Sequence, residues 1–550
     1  MKFLENIFSN LERGAERAVL QEARASGVVP ATGGELRAQI ETARTYLRHR
    51  GIQKGDRCAL LAHNSIRWSA LNLALVAEGV IVVPLYARQA AKELVGMMRD
   101  AEPKLICAGD SALADAVRAE WGDAPRIALF EEIFELGAGE KPSAAPPVAG
   151  TDSDAVAIIY TSGTSGEPKG VVLTAGNLSF MVQRTTGRLN QLMAGHDGVE
   201  RVFHYAPFCF AGSWILMLSC LSRTSLLTLS MDLTRLQLEM EIAAPHYFQN
   251  VPTLLERVRR SIEDGLAKRG GVFAKIFSNA RSSWYQEQAG TPAKYGWMWL
   301  GLARAAMFPA IRKRIGKNLK ALICGSAPLS PETQLFFVML GIQVLQVYGL
   351  TETTGICTMD IPGHAEPGWV GPAVEGVEMK VGEDQEILVR GPNVFPGYWM
   401  RPEETAKALG DGWFHSGDQG EVNANGNWRI VGRIKNLLIL NSGLNVAPEP
   451  IEEKLHDALP GAQQVVLVGH GRRYLVAIVT GDVTREGVAA AIKSLNSEVP
   501  HYKQIHGFHI ERQAFTIDSG LLTALGKLKR AAINTRYAAE IETMYREKSA

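Results

Sequence analysis

The sequence is short of cysteine and of any excess charge, and each shortage removes a class of protein. Its six cysteines (Cys58, Cys107, Cys209, Cys220, Cys324 and Cys357) are widely spaced across 550 residues, with no CxxC and no histidine at metal-ligand spacing. A disulfide framework or a thiolate metal site does not fit that spacing, whereas small buried hydrophobes in a reducing compartment do. With 58 Lys and Arg against 57 Asp and Glu, the net charge is +1. The chain therefore lacks the basic excess of a histone-like or tail-like nucleic-acid binder, and no nucleic-acid partner is expected. Long apolar runs are missing too. The most apolar stretch, residues 70–87, is interrupted by Glu78, Gly79 and Pro84, and reads as helix, turn and strand rather than a membrane span. The N-terminus carries acids early and no continuous apolar segment, unlike a signal peptide. Its Phe3, Leu4, Ile7, Phe8 and Leu11 instead repeat at helical spacing. The expected location is cytoplasmic, with peripheral attachment to the inner face of a membrane left open.

Glycine is what the chain has in quantity, 54 residues of it. The length corresponds to about three to five domains or subdomains. Short apolar runs (57–63, 80–86, 104–109) alternate with helical patterns, which predicts parallel sheets covered by helices. Residues 155–162, 319–325 and 342–349 are further buried-strand candidates, each ending in glycine or hydroxyl residues. Ligands of open α/β sheets bind beyond the carboxyl ends of strands, so these ends are the candidate site. From about 356 to 432 the texture becomes β-rich with Gly, Pro and Asn turns. Beyond Arg433 a compact α+β pattern follows. The fold expected is α/β: residues 1–432 form a large body of two packed α/β subdomains plus a small β-barrel-like subdomain. Residues 433–436 are a hinge, and residues 437–550 a small mobile C-terminal domain.

Tyr160–Gly170, YTSGTSGEPKG, carries the strongest chemistry. Its glycines let backbone N–H groups converge on an anion, its hydroxyls add donors, and Lys169 adds charge. It is not a Walker A loop, which requires GxxxxGK followed by Ser or Thr. A helix, AGNLSFMVQRT, is expected directly after it. Tyr348–Glu352 (YGLTE) combines an aromatic ring, a hydroxyl and a carboxylate suited to base stacking, phosphate and Mg²⁺. DGWFHSGD (411–418), GRIKN (432–436) and GKLKR (526–530) complete the set. Between Arg257 and Lys317, thirteen Lys or Arg stand against three acids, interleaved with Trp and Tyr. A solvated helical face and a membrane-surface or anionic-ligand contact both fit that interval.

In this order and spacing the segments resemble the acyl-adenylate-forming superfamily of acyl-CoA synthetases, peptide-synthetase adenylation domains and firefly luciferase. GSAPLSPET (325–333), LNVAPEPIEEKL (444–455) and IDSGLLTALGKLKR (517–530) look most like long-chain fatty acyl-CoA synthetases. The resemblance implies ATP, Mg²⁺ and coenzyme A acting on a fatty acid. It implies that Thr161, Ser162, Gly163, Thr164, Ser165, Gly166 and Lys169 wrap the ATP phosphates. Gly325, Ser326 and Ala327 would line the adenine slot, with Tyr348 stacked on the base. Thr351 would contact the α-phosphate, Glu352 hold Mg²⁺, and Asp418 and Arg433 bind the ribose. Lys435 falls at the hinge, Gly443 at the pantetheine channel, and Lys527 at the adenylation lysine, with Lys529 a rival. Phe210, which stands where the family has histidine, and Trp214 are candidates for the acyl pocket. An acyl-AMP ligase that loads a carrier-protein thiol is the alternative activity. Oligomeric state and chain length stay open.

Overall fold

A computed structural model of the chain describes residues 1–135, 145–162 (at Ser162 the backbone only), 168–523 and 526–546. The amphipathic start forms a helix, Lys2–Arg13, which buries Phe3, Leu4, Ile7, Phe8 and Leu11 against the body. A hairpin follows, β1 (Ala18–Arg24) and β2 (Gly27–Thr32), that hydrophobic periodicity did not announce. The first large sheet uses β3 (Arg57–Leu61), β4 (Ile81–Leu85), β5 (Leu105–Ala108) and β6 (Ile127–Leu129), all parallel. β7 (Ala155–Ser162) continues it in parallel beside β4, and β8 (Pro168–Thr174) returns antiparallel to β7. The phosphate-loop motif thus connects two antiparallel strands, not a strand and a helix as expected. The run VVLT extends the sheet because its Val171 and Leu173 are buried in the core. The helix Ala175–Leu192 starts only afterwards, capped by the Thr174 hydroxyl, which accepts from Asn177 N–H.

The second sheet comprises β9 (Glu200–His204), β10 (Ser225–Ser230), β11 (Tyr247–Asn250), β12 (Ala321–Cys324), β13 (Gln343–Tyr348) and β14 (Thr358–Met359), joined by the first hairpin. Its order is β14-β13-β12-β11-β9-β10-β1-β2, parallel from β13 to β1 with antiparallel edges. Helices cover the sheet, and its central strands carry buried apolar residues such as Val202, Phe203, Leu227, Phe248, Leu322 and Val344. Near β11 and β12 the cover is a run of four helices, Pro252–Arg269, Gly271–Gln288, Gly296–Ala306 and Phe308–Gly316.

The β-rich stretch forms β15 (Glu378–Val381), β16 (Glu386–Arg390), β17 (Phe414–Val422) and β18 (Trp428–Arg433). They make an open antiparallel meander in sequence order, in place of the expected barrel-like closure. Pairing of Asp418 with Arg433 continues this sheet to the edge of the expected hinge. The C-terminal part begins with a small hairpin, β19 (Leu438–Ile439) and β20 (Asn445–Val446). β21 (Ala462–Val468), β22 (Leu475–Gly481) and β23 (Ile505–Glu511) then form a three-stranded sheet. Helices Glu449–Asp457 and Arg485–Glu498 cover one face, and Ala538–Arg546 the other, giving this part its own core.

Candidate active site

The carboxyl ends of β12 and β13 approach so closely that glycine is required after the first. A Cβ on Gly325 would fall 2.7 Å from Val347 Cγ2. The chain then turns outward through Ser326, exposed at φ 75°, and Ala327. After Tyr348 a tight turn spans residues 350–355. Leu350 N–H donates to Thr353 Oγ1 at 2.9 Å, and the Thr354 hydroxyl donates to Asn393 O at 2.7 Å. Thr353 and Thr354 are buried by these bonds, which leaves Thr351 and Glu352 partly exposed at the crest. Residue type and turn geometry together fix one hydroxyl and one carboxylate at a strand end.

A segment that the sequence reading passed over, 393–400, locks this turn to the phosphate-loop strands. The Tyr398 hydroxyl donates to Glu352 Oε1 at 2.9 Å, and Phe395 N–H to Glu352 O at 2.8 Å. Trp399 N–H donates to Gly170 O at 2.7 Å, and Lys169 Nζ lies 5.4 Å from the Tyr398 ring centroid. Lys169 sits opposite Thr161 in the β7–β8 register. Gly163, Thr164, Ser165 and Gly166 lie outside the described residues, and of Ser162 only its place at the end of β7 is described. The missed signal was aromatic: Tyr398 and Trp399 stand amid Gly and Pro where no core strand needs them.

On the other wall the β17–β18 register delivers Asp418. Its Oδ2 accepts from the Tyr348 hydroxyl at 2.8 Å and its Oδ1 pairs with Arg433 Nε at 2.6 Å. Burial pushes the Asp418 carboxyl above its usual range, while Arg433, Tyr348 and Lys527 pull the other way. Lys527 comes from the C-terminal part, on a turn in which Thr523 N–H donates to Lys527 O and Lys527 N–H to Thr523 Oγ1. Arg530, three residues on, holds this turn to the helix Glu449–Asp457 through both carboxylate oxygens of Glu452. The residue is exposed, yet protein crowding around its ammonium, and then Arg433, pull the Lys527 pKa down, with Asp418 and Glu352 opposing. Lys435 is lowered by burial, then by Arg433 and Lys169, against Glu352. Lys529 instead faces Glu93 of the body at 3.9 Å.

Lys169, Arg433, Lys435 and Lys527 therefore converge on Asp418 and Glu352, four cations around two carboxylates. With Glu449 also acting on Asp418, the cations still outnumber the carboxylates, and the excess positive charge suits a polyanion. Nearby, at the end of β11, Gln249 Oε1 and Asn250 Oδ1 are buried without a hydrogen-bond partner. Gln249 Nε2 lies 3.2 Å from where a Cβ on Gly212 would stand, which puts Gln249 against the first turn of the helix Ala211–Leu221. Phe210 precedes that helix, partly exposed, its ring 5.8 Å from Tyr86. Trp214 is sealed in the core, its indole N–H donating to Asn72 Oδ1 at 2.9 Å. Gly443 occupies the exposed turn between β19 and β20 at φ 80°, bonded back to Leu440 rather than into the cation group.

Cations gathered at strand ends, with a lysine from a smaller C-terminal unit among them, suit a polyanionic ligand. The chain belongs to the AMP-binding enzyme family: that family's model matches residues 11–399, and its C-terminal domain model matches residues 435–549. It is 28% identical to the long-chain-fatty-acid–CoA ligase FadD15 of Mycobacterium bovis, over 94% of this chain and 92% of that protein. It is 25% identical to long chain acyl-CoA synthetase 3 of Arabidopsis thaliana, over 96% of this chain and 89% of that protein. Among solved structures it is similar to the A domain of a carboxylic acid reductase from Segniliparus rugosus. The TM-score is 0.76 at 20% identity, covering 99% of this chain and 94% of that one.

Proposed function

We propose that the protein is an ATP-dependent fatty acid–CoA ligase acting through an acyl-adenylate. The observation that carries this reading is the convergence of Lys169, Arg433, Lys435 and Lys527 on Glu352 and Asp418, in a member of the AMP-binding family. The names of the long-chain-fatty-acid–CoA ligases it resembles supply the substrate class. A fatty carboxylate oxygen attacks the α-phosphorus of ATP, the bond from that phosphorus to the bridging oxygen breaks, and pyrophosphate leaves. Negative charge gathers on the phosphoryl oxygens, where Lys527 and Lys169 offset it at fixed positions. In the second half-reaction the thiolate of coenzyme A attacks the acyl carbon and AMP departs.

Glu352 is the residue fitted to a divalent cation. One of its oxygens is already oriented by Tyr398, and Mg²⁺ commonly takes one or two carboxylates with phosphate oxygens. When bound, the ion would neutralise charge on the phosphates. Asp418 with Arg433 would hold the ribose, Ser326 and Ala327 with Tyr348 the adenine, and Gly443 the channel for coenzyme A. Phe210 and the orphaned oxygens of Gln249 and Asn250 would border the acyl and carboxylate positions. A peripheral contact with a membrane through 257–317 belongs to the same reading. The test is carboxylate-dependent exchange of labelled pyrophosphate into ATP without coenzyme A, followed by coenzyme-A-dependent thioester formation. No exchange by folded protein would sink the proposal, and exchange with no coenzyme-A thioester would favour a carrier-protein acceptor.

A further inference from the structure

Three parts of the site meet on one carboxylate, that of Glu449, the first residue of the helix Glu449–Asp457. Its Oε1 accepts from Asn436 Nδ2 at 2.6 Å, and Asn436 follows Lys435 at the junction of the body and the C-terminal part. The same oxygen lies 3.8 Å from Arg530 Nη2. Arg530 fixes the turn that carries Lys527, so one oxygen ties the junction to that lysine. Oε2 is buried and has no hydrogen-bond partner. It lies against the body: a Cβ on Gly432, near the end of β18, would fall 3.2 Å from it and 3.0 Å from Ala447 Cβ. Gly432 is buried, and its φ is outside the left-handed region. Glycine stands there because the C-terminal part comes close, not because the torsion demands it.

Glu452, one turn further along the same helix, shows the contrast of a purely internal carboxylate. Both its oxygens accept from Arg530, and Oε1 also from Leu467 N–H at 2.6 Å, all within the C-terminal part. In Glu449, by contrast, one oxygen forgoes a donor, which is costly for a buried carboxylate. Its contact at Gly432 also crosses from one part of the chain to the other. A carboxylate at a helix N-terminus gains from the helix dipole, but that gain does not require Oε2 to give up water against β18. Burial first, and Glu449 after it, raise the Asp418 carboxyl, so the Glu449 charge is felt inside the site.

We propose that Glu449 is a positioning residue for the adenylation step: through Asn436 and Arg530 it holds the Lys527 turn against the body at Gly432. The role rests on the reaction proposed above, but the tie itself can be measured without that reaction. Dyes on the body and on the C-terminal part report their separation in the full chain by energy transfer. Pyrophosphate exchange, and thioester formation from pre-made acyl-adenylate, report the two half-reactions. Glu449→Ala removes the Asn436 bond and the attraction to Arg530, and should increase the separation. It should slow exchange about tenfold at saturating ATP, with the KM for ATP within about twofold of wild type, because a displaced Lys527 is felt in the transition state. Thioester formation from pre-made adenylate should fall by less than about twofold, since Lys527 serves the first step. Glu449→Gln keeps an acceptor for Asn436 and should recover most of the exchange rate. Gly432→Ala sets a methyl group into the seam, and should increase the separation and slow exchange without touching Glu449. Asn436→Ala added to Glu449→Ala should cost nothing more, because the two residues act as one tie. Unchanged separation or undiminished exchange in Glu449→Ala would overturn the proposal. So would an equal fall in both half-reactions, the mark of a residue that only holds the fold together. Wild-type protein that shows no exchange would sink the reaction instead, and the separation in Glu449→Ala would still decide for or against the tie.

Discussion

The Tyr348 hydroxyl donates to Asp418 Oδ2 at 2.8 Å, a bond that joins the end of a parallel strand in the body to the antiparallel meander. Arg433 Nε takes the other carboxylate oxygen at 2.6 Å. Both oxygens of Asp418 are thus oriented before any ligand arrives, and a ribose hydroxyl would meet a carboxylate that cannot rotate away. Loss of the hydroxyl alone in Tyr348→Phe keeps the ring and is expected to raise the KM for ATP about two- to tenfold, less than the full worth of the bond because Arg433 still holds the other carboxylate oxygen. Asp418→Asn loses the charge paired with Arg433 and should raise it about ten- to a hundredfold. Steady-state kinetics at saturating fatty acid distinguishes them; equal effects would mean that the tyrosine does not orient the carboxylate.

Lys527 and Lys529 lie two residues apart and face different parts of the body. Lys527 reaches the charges around Glu352 and Asp418, whereas Lys529 faces Glu93. Lys527→Ala is expected to slow pyrophosphate exchange about 10²–10³-fold, as removal of one positioned charge-stabilising donor does. Thioester formation from pre-made acyl-adenylate should stay largely intact. Lys529→Ala should leave exchange within about twofold of wild type, because exposed ion pairs are weak. If both half-reactions fall together in Lys527→Ala, this lysine does not serve adenylation alone.

Tyr398 connects two groups that the sequence reading had treated separately. It donates to Glu352, and Lys169 lies near its ring. Tyr398→Phe retains the ring, so Lys169 keeps its support while Glu352 loses its orienting bond. The expected result is an approximately three- to tenfold rise in the Mg²⁺ concentration needed for half-maximal exchange, with a smaller change in the KM for ATP. A titration with Mg²⁺ reads this directly, and removal of the ion with a chelator should stop exchange in both proteins. An unchanged Mg²⁺ requirement would argue that Glu352 is held by the turn 350–355 without help.

These residues also mark how far the sequence could be read. Six parallel strands, β3, β4, β5, β7, β12 and β13, were legible because strands buried on both faces tend to be apolar runs, and Gly325 and Tyr348 were placed at strand ends for that reason; β9 (ERVFH) and β11 (YFQN), rich in polar residues, were not. The helix Lys2–Arg13 followed from the helical spacing of Phe3, Leu4, Ile7, Phe8 and Leu11. β8 was missed because glycine and lysine at its start look like loop, while its partner β7 lies just across the phosphate-loop motif. Tyr398 was missed because its role is a contact with a residue forty-six positions away. The ends of Gln249 and Asn250 were invisible for a similar reason: in YFQN nothing distinguishes an orphaned amide from a satisfied one. Trp214 shows the converse, since its sequence position says nothing of the Asn72 partner that seals it in the core.

A final relationship concerns how the two parts of the chain stay together. Arg260 of the body reaches His456 O at 3.3 Å and Asp457 Oδ1 at 3.4 Å on the helix Glu449–Asp457. Beside this contact stand Glu256 of the body and Glu453 of the C-terminal part. Burial, then Asp457 and Glu256, raise the Glu453 carboxyl to about 7, and burial with Asp457 raises Glu256. The share of this rise that comes from Glu256 across the seam is lost when the two parts separate, so docking favours the protonated form of Glu453. Docking is therefore weakened as pH rises towards about 7, where Glu453 ionises beside Asp457 and Glu256, and is stronger at lower pH, where Glu453 is protonated. Energy transfer between dyes on the two parts should report a larger mean separation at about pH 8 than at about pH 6. Glu453→Gln cannot ionise and should flatten that profile while leaving the low-pH separation unchanged. Arg260→Ala removes the attractive partner and should increase the separation at both pH values. A profile that stays steep in Glu453→Gln would place the titrating group elsewhere along the seam.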